Sequence, residues 1–163
     1  MPLDPIEFQI IENMQTALKS ISTQNGFHYN VQSVAVKLDP NHDVDALVGE
    51  ANLGSEPLRP FIILVASPDL FEYFPAEQIR LRMPFVIHAV NDSDPKEDAE
   101  LQKTYFKLCA DVEKAISADI TRGALATDTR IFEREMHEPT GQLVWSIVKG
   151  EIRVQRTYGA PNG

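Results

Sequence analysis

Near the start of the chain, Ile6, Ile10, Met14, Leu18 and Ile21, joined by Ile11 and Ala17, recur at helical spacing. Glu7, Glu12, Gln15 and Lys19 fall largely off that stripe. Apolar positions spaced by three and four line one face of a helix with 3.6 residues per turn. Asp4 is placed to cap it, Pro5 suits its first position, and Glu7 lies three residues after the cap. Asn25-Gly26 then supplies a stop or turn. The same start signal returns at Asp94-Pro95-Lys96-Glu97 and opens a helix carrying Leu101, Tyr105, Leu108, Cys109, Val112 and Ile116 on one face. Both copies put a carboxylate near the positive end of the helix dipole. No other segment matches between the two halves, so the signal is shared start chemistry and not an internal repeat.

Elsewhere the pattern is that of strands. Tyr29 to Leu38 is rich in β-branched residues. Phe61-Ile62-Ile63-Leu64-Val65-Ala66 is a short continuous apolar run, as expected of a strand covered on both faces. From Arg80 to Val90, Leu81, Met83, Phe85, Ile87 and Ala89 fall on one side and Arg80, Arg82 and His88 on the other. Pro84 in that run favours an edge or a bulge. Thr129 to Met136 and Leu143 to Arg156 flank the turn-like Glu138-Pro139-Thr140-Gly141 and read as a hairpin, with Gly150 marking a bulge or bend. Two stretches lack period. Asp39 to Arg59 is acidic and turn-rich and reads as a long polar loop at about 39–59. Pro68 to Gln78 reads as a loop carrying Leu70, Phe71, Tyr73 and Phe74, aromatics that either fold back into the core or meet a partner. The order helix, strands, helix, hairpin gives an α+β fold: a single domain over 1–163, with a mostly antiparallel sheet and two main helices packed on one face.

Length and composition fit that reading, since 163 residues with 43% apolar positions can build a core without staples. No apolar run reaches the roughly 20 residues of a membrane helix. Met1-Pro2-Leu3-Asp4-Pro5 lacks the basic and apolar regions of a signal peptide. One cysteine, Cys109, leaves no intrachain disulfide and agrees with synthesis in a cytoplasm. The net charge of −9 argues against a nonspecific grip on nucleic acid, while a negative wall that repels phosphate suits a conduit.

Catalytic chemistry has little support. His28, His42, His88 and His137 show no metal-ligand spacing, and there is no G-x-S-x-G, Walker or G-x-G-x-x-G motif. Cys109 lies on an apolar stripe and reads as a buried structural thiol. The carboxylates from Asn91 to Glu100 read as a solvated helix start, with a hard-cation site as the alternative. Arg80, Arg82 and His88 read as a solvated sheet face that could instead touch phosphate or acidic neighbours. Trp145 reads as core. Arg122, Arg130, Arg134, Arg153 and Arg156 make the last third relatively basic against an acidic first half that includes Asp43 and Asp45. Such asymmetry points to charge-complementary surfaces between copies.

The stretch from Ala110 to Pro161 resembles the bacteriophage tail-terminator and tail-completion proteins. The likeness lies in the charged helix Ala110-Asp111-Val112-Glu113-Lys114-Ala115-Ile116, the small-residue run from Ser117 through Asp119, Gly123-Ala124-Leu125 to Thr129, the hairpin, and the end Val154 to Pro161. The resemblance covers most of the chain in order of elements and about a third of it in residues. It implies a structural virion protein, made in the host cytoplasm and located at the tail or neck. Such a protein caps the tail tube as a hexameric ring, ends tube polymerisation and forms the joint to the head connector. Its implied partners are other copies of itself, the tail tube protein, the connector or neck proteins and, where there is one, a sheath. Double-stranded DNA would pass through the lumen unread. No enzyme activity, cofactor, metal or membrane contact is expected. The candidate interface residues are Arg153, Arg156, Phe71, Tyr73, Phe74, Asp43 and Asp45. A head-completion or neck adaptor is the alternative. A small metal-dependent enzyme or regulator using His88 with the carboxylates near Asp94, and a plain interaction module, are the other readings.

Overall fold

The apolar stripe of the first segment folds as α1, Ile6–Lys19, and Ile6, Ile10, Met14 and Leu18 are all buried. The computed structural model describes residues 5–37, 42–52, 58–66, 70–74, 78–92, 98–140 and 143–157, with the side chains of 42–43, 50–52, 70–74, 78–79, 138–140 and 156–157 outside the description. After α1 come β1 (Ser33–Lys37), α2 (His42–Asn52), β2 (Phe61–Ala66), β3 (Leu70–Phe74), β4 (Gln78–Asp92), α3 (Asp98–Ser117), β5 (Asp128–Thr140) and β6 (Leu143–Thr157). Pro5 is the N-cap of α1 and makes no side-chain capping bond. Asp4 and the start signal at 94–97 lie outside the described residues.

One six-stranded sheet runs β1-β2-β4-β6-β5, with β3 paired to β4 on the edge that β2 also uses. Among the described strands only β1 and β2 are parallel, and α2 connects them as the crossover that parallel strands require. The fold is therefore α+β with a mostly antiparallel sheet. The centre is the β4–β6 ladder, fifteen consecutive pairs from Gln78↔Thr157 to Asp92↔Leu143 without a register shift. At ~3.4 Å per residue these strands are roughly 50 Å long.

Alternation along β4 sorts its residues as the sequence pattern predicts. Leu81, Met83, Phe85, Ile87 and Ala89 join Val144, Val148, Ile152 and Val154 of β6 under α1 and α3. On α3 that core takes Tyr105, Leu108, Cys109, Val112 and Ile116. Asp111, also on α3 and buried, accepts hydrogen bonds from the His28 and Tyr29 amides at 2.9–3.0 Å and so fixes the approach to β1.

Three expectations change. Residues 42–52 are helix α2 and not loop, because Val44 and Val48 are buried on the opposite face of the sheet, against Phe61, Ile63, Val65, Val90, Leu143, Trp145 and Ile147. Phe61–Ala66 is thereby covered on both faces, as its unbroken apolar run requires. Residues 70–74 are strand β3 and not loop. Finally, Pro84 sits in a central strand. Among the described residues, β2 pairing ends at Ala66↔Phe85 and β3 pairing begins at Leu70↔Arg82, so no described residue takes a ladder bond from Pro84 on that side.

The β5–β6 hairpin forms as expected, with Glu138, Pro139 and Thr140 in the strand and a register shift between His137 and Thr140. A second shift, between Ile131 and Glu133, bulges Phe132 out opposite Gly150. A Cβ on Gly150 would collide with the Arg130 carbonyl and the Phe85 ring, whereas one on Gly49 of α2 would meet nothing within 4 Å. Gly150→Ala is therefore expected to destabilise by about 1–3 kcal/mol, as overpacking does. Gly49→Ala is expected to stabilise by up to about 1 kcal/mol. Urea unfolding midpoints of the two variants check both signs.

Candidate interaction surface

The face opposite α1 and α3 changes character along its length. Where β6 presents Leu143, Trp145 and Ile147, α2 covers it. Two residues further on, the same alternation presents Lys149, Glu151 and Arg153, and the face is charged. Their cross-strand neighbours are Val86, Pro84 and Arg82 on β4 and Glu133, Arg130 and Asp128 on β5.

The hub of the charged half is Glu151, which is buried. It accepts from Arg82 Nη2 at 2.9 Å and Nε at 3.3 Å, and from Arg153 Nε at 2.8 Å. Burial pushes its carboxyl up, but the hydrogen bonds from Arg153 and Arg82 and the charges of both outweigh burial and hold it below the ordinary value. Arg130 Nε pairs with Asp128 at 2.5 Å, and Lys149 lies 3.2 Å from Glu135 and 3.8 Å from Glu133. A depression of 120 Å³ among Arg80, Asp128, Arg130, Arg153 and Gln155 is well below the roughly 300 Å³ at which small-molecule sites begin.

At the boundary between the two halves, Trp145 Nε1 donates to His88 Nδ1 at 2.9 Å, and His137 stacks on the Trp145 ring with centroids 4.1 Å apart. His88 Nε2 is buried without a hydrogen-bond partner among the described residues. Burial lowers the His88 pKa from 6.5 to about 4, with Asp45 on α2 opposing the shift and His137 and Lys149 assisting it. Trp145 is core, as its pattern predicts, and its indole also sets the tautomer of a neighbour the pattern had placed on a solvated face. His88 is buried because α2 covers it.

The predicted interface residues are scattered by the fold. Arg153 lies in the charged half and is bound to Glu151 of its own chain. Arg156 pairs with Ile79 across the β4–β6 ladder. Phe71, Tyr73 and Phe74 lie on edge strand β3, opposite Leu81, Ile79 and Gln78. Asp43 and Asp45 belong to α2, where Asp45 is exposed. The side chains of Arg156, Phe71, Tyr73, Phe74 and Asp43 lie outside the described residues. No ion pair joins Asp45 to Arg153 among the described residues. The basic last third is largely neutralised within the chain. Arg130, Arg134 and Arg153 pair with Asp128, Glu113 and Glu151. Arg122 is fully buried and caps the end of α3 by donating to the Ile116 and Asp119 carbonyls. It lies in a left-handed stretch with Gly123 and Ala124, within the small-residue run.

Sequence reasoning missed the exposed apolar side chains Phe106, Ile120, Phe132 and Met136. The adjacent pair Ile131-Phe132, which breaks the alternation of β5, is the signal that could have found the bulge. Cys109 is buried, and burial raises its thiol pKa above the ordinary value. Among the described residues no group of three or more His, Cys, Asp and Glu could hold a metal, and no helix is long and apolar enough to cross a membrane.

Between pH 6.5 and about 4 the unfolded chain binds the His88 proton and the folded chain does not, so stability falls as pH falls through that window. The full loss is about 3 kcal/mol at 1.36 kcal/mol per unit. His88→Asn, whose amide oxygen stands where Nδ1 accepts from Trp145, is expected to flatten this part of the profile. Urea unfolding from about pH 7 to about pH 5 reads the difference, and equal slopes in both proteins would assign the titration to another group.

The chain matches no protein-family model, and a search of the curated proteins finds no match.

Proposed function

We propose that this chain is a structural virion protein that caps a phage tail tube, ends its polymerisation and joins it to the head connector. The supporting observation is the unit formed by the residues that carry the resemblance. The second half of α3, the left-handed turn at Arg122–Ala124 and the β5–β6 hairpin make one side of the domain, bounded by the outer edge of β5. That edge belongs to a thirteen-residue strand, and Phe132 and Met136 stand exposed along it. Such an edge beside a half-bare charged sheet face favours contact with protein over chemistry on a small molecule. The function is then assembly by surface complementarity: six copies close a ring on the finished tube, one face on the tube and the other on the connector. No bond is made or broken. The acidic balance lets DNA pass the lumen without being held.

Electron microscopy of lysates from a phage lacking this gene tests the reading. Full heads beside detached tails of irregular or excessive length are expected. Normal-length free tails beside leaking or empty heads would replace it with the head-completion role, and normal virions would overturn both.

A further inference from the structure

Helix α2 is held to the sheet by a thin apolar contact. Val44 and Val48 are buried and Leu47 packs partly, while Asp45, Ala46 and Gly49 are exposed. Gly49 weakens the helix without a packing reason, since a Cβ there would meet nothing within 4 Å. At 11 residues α2 is also shorter than the roughly 12–15 that an isolated helix needs to persist in water. Its helical form therefore depends on the sheet beneath it, and leaving the sheet means unwinding.

Beneath α2, the apolar layer of Phe61, Ile63, Val65, Val90 and Ile147 holds a buried imidazole, that of His88. The hydrogen bond from Trp145 Nε1 makes His88 Nδ1 the acceptor, so the neutral ring carries its hydrogen on Nε2. Nε2 has no partner among the described residues. A second proton can go only to Nδ1. There it sets two donors against each other across 2.9 Å and puts a positive charge into the apolar layer. Burial weighs most heavily against that charge. Asp45 on α2 and Glu135 on β5 favour it, and His137 on β5 and Lys149 on β6 oppose it. The cross-strand neighbours of His88 on β2 and β6 are Ile63 and Ile147, which offer it no polar group. A protonated ring therefore gains water by the departure of α2.

We propose that His88 is a proton-operated latch for α2: a proton taken up at Nδ1 breaks the bond to Trp145 and releases α2 from the sheet, while the α1–α3 side stays folded. The step transfers one proton from solvent to the ring. The core under α1 and α3 takes no described residue from α2, so it does not need the helix in place. Release bares the apolar sheet face around Trp145. The ring titrates at 6.5 in water and at about 4 under the helix, so opening of α2 rises about tenfold for each pH unit between those values. The latch holds or fails independently of the ring reading above.

The test is amide hydrogen exchange of the full chain from about pH 7 to about pH 4.5, corrected for the intrinsic exchange rate at each pH. The amides of residues 44–49 are expected to be less protected than those of β4 and β6 throughout, and to lose about tenfold in protection per pH unit. The indole Nε1–H of Trp145, the single tryptophan of the chain, is expected to start exchanging with water over the same range, read by NMR. His88→Asn is expected to remove the pH dependence of α2 exchange. Val48→Ala keeps His88, removes two buried carbons from the contact, and is expected to speed α2 exchange about tenfold at neutral pH. The latch is overturned by α2 amides that exchange only together with those of β4 and β6, or by an indole N–H that stays protected while α2 opens. Equal pH slopes in wild type and His88→Asn, or an unchanged rate in Val48→Ala, would overturn it as well.

Discussion

The β4–β6 ladder decides where every other part of the molecule goes. Its fifteen pairs keep one register, so each residue of both strands is assigned a face for the whole length of the sheet. A slip of one residue would turn Leu81, Met83, Phe85 and Ile87 away from α1 and α3 and turn Arg80, Arg82 and His88 into the apolar layer. The burial of four large apolar side chains, at about 1.5–3 kcal/mol each, forbids that slip. The same register puts Glu151 beside Arg82 and Arg153 and places Trp145 within reach of His88. The ion network and the Trp–His pair are thus consequences of the ladder and not separate designs.

Much of this was legible in the residues because α1, α3 and β4 each bury one face and leave the other wet. Such elements write their geometry into a period of 3.6 or 2. The run Phe61–Ala66 was legible for the opposite reason, having no wet face. Helix α2 was not, because its apolar stripe amounts to Val44, Leu47 and Val48 in an acidic segment. Too little is buried for the helix to announce itself, and the sheet beneath supplies the reason for it. Strand β3 was hidden by the prolines that flank it in sequence. The Glu151 hub joins residues 69 apart, a proximity that no local spacing encodes. The arginines of the last third were visible as charges, but their carboxylate partners were visible only once the strands were paired. Arg122 shows the same limit most plainly, since a charge counted toward the surface turns out to be wholly interior.

The two faces of the sheet also divide the labour of the domain. The α1–α3 side is continuous core. The other side is core only as far as α2 reaches, and there His88 gives up its charge to stay beneath the helix. Beyond Lys149 the face is charged, with partly exposed arginines tied to the buried Glu151. A charge network already satisfied within one copy adds little attraction between copies, because exposed pairs contribute at most about 1 kcal/mol. Its use at an interface would be to set register and exclude mismatched neighbours. The apolar side chains along β5 are the groups with most to gain from being covered.

The order in which strands are made differs from the order in which they stand. Among the described strands β6 is translated last, yet it lies between β4 and β5 near the middle of the sheet. Its pairings with β4 join residues between 51 and 79 positions apart. While the chain is being synthesised, β4 holds one edge bare for the time needed to make α3, β5 and β6. The nascent protein therefore carries a long, largely apolar strand edge that only its own last strand can cover. Yield in the cell depends on that interval being short or chaperoned, and loss of β6 would remove the middle of the sheet rather than trim its margin.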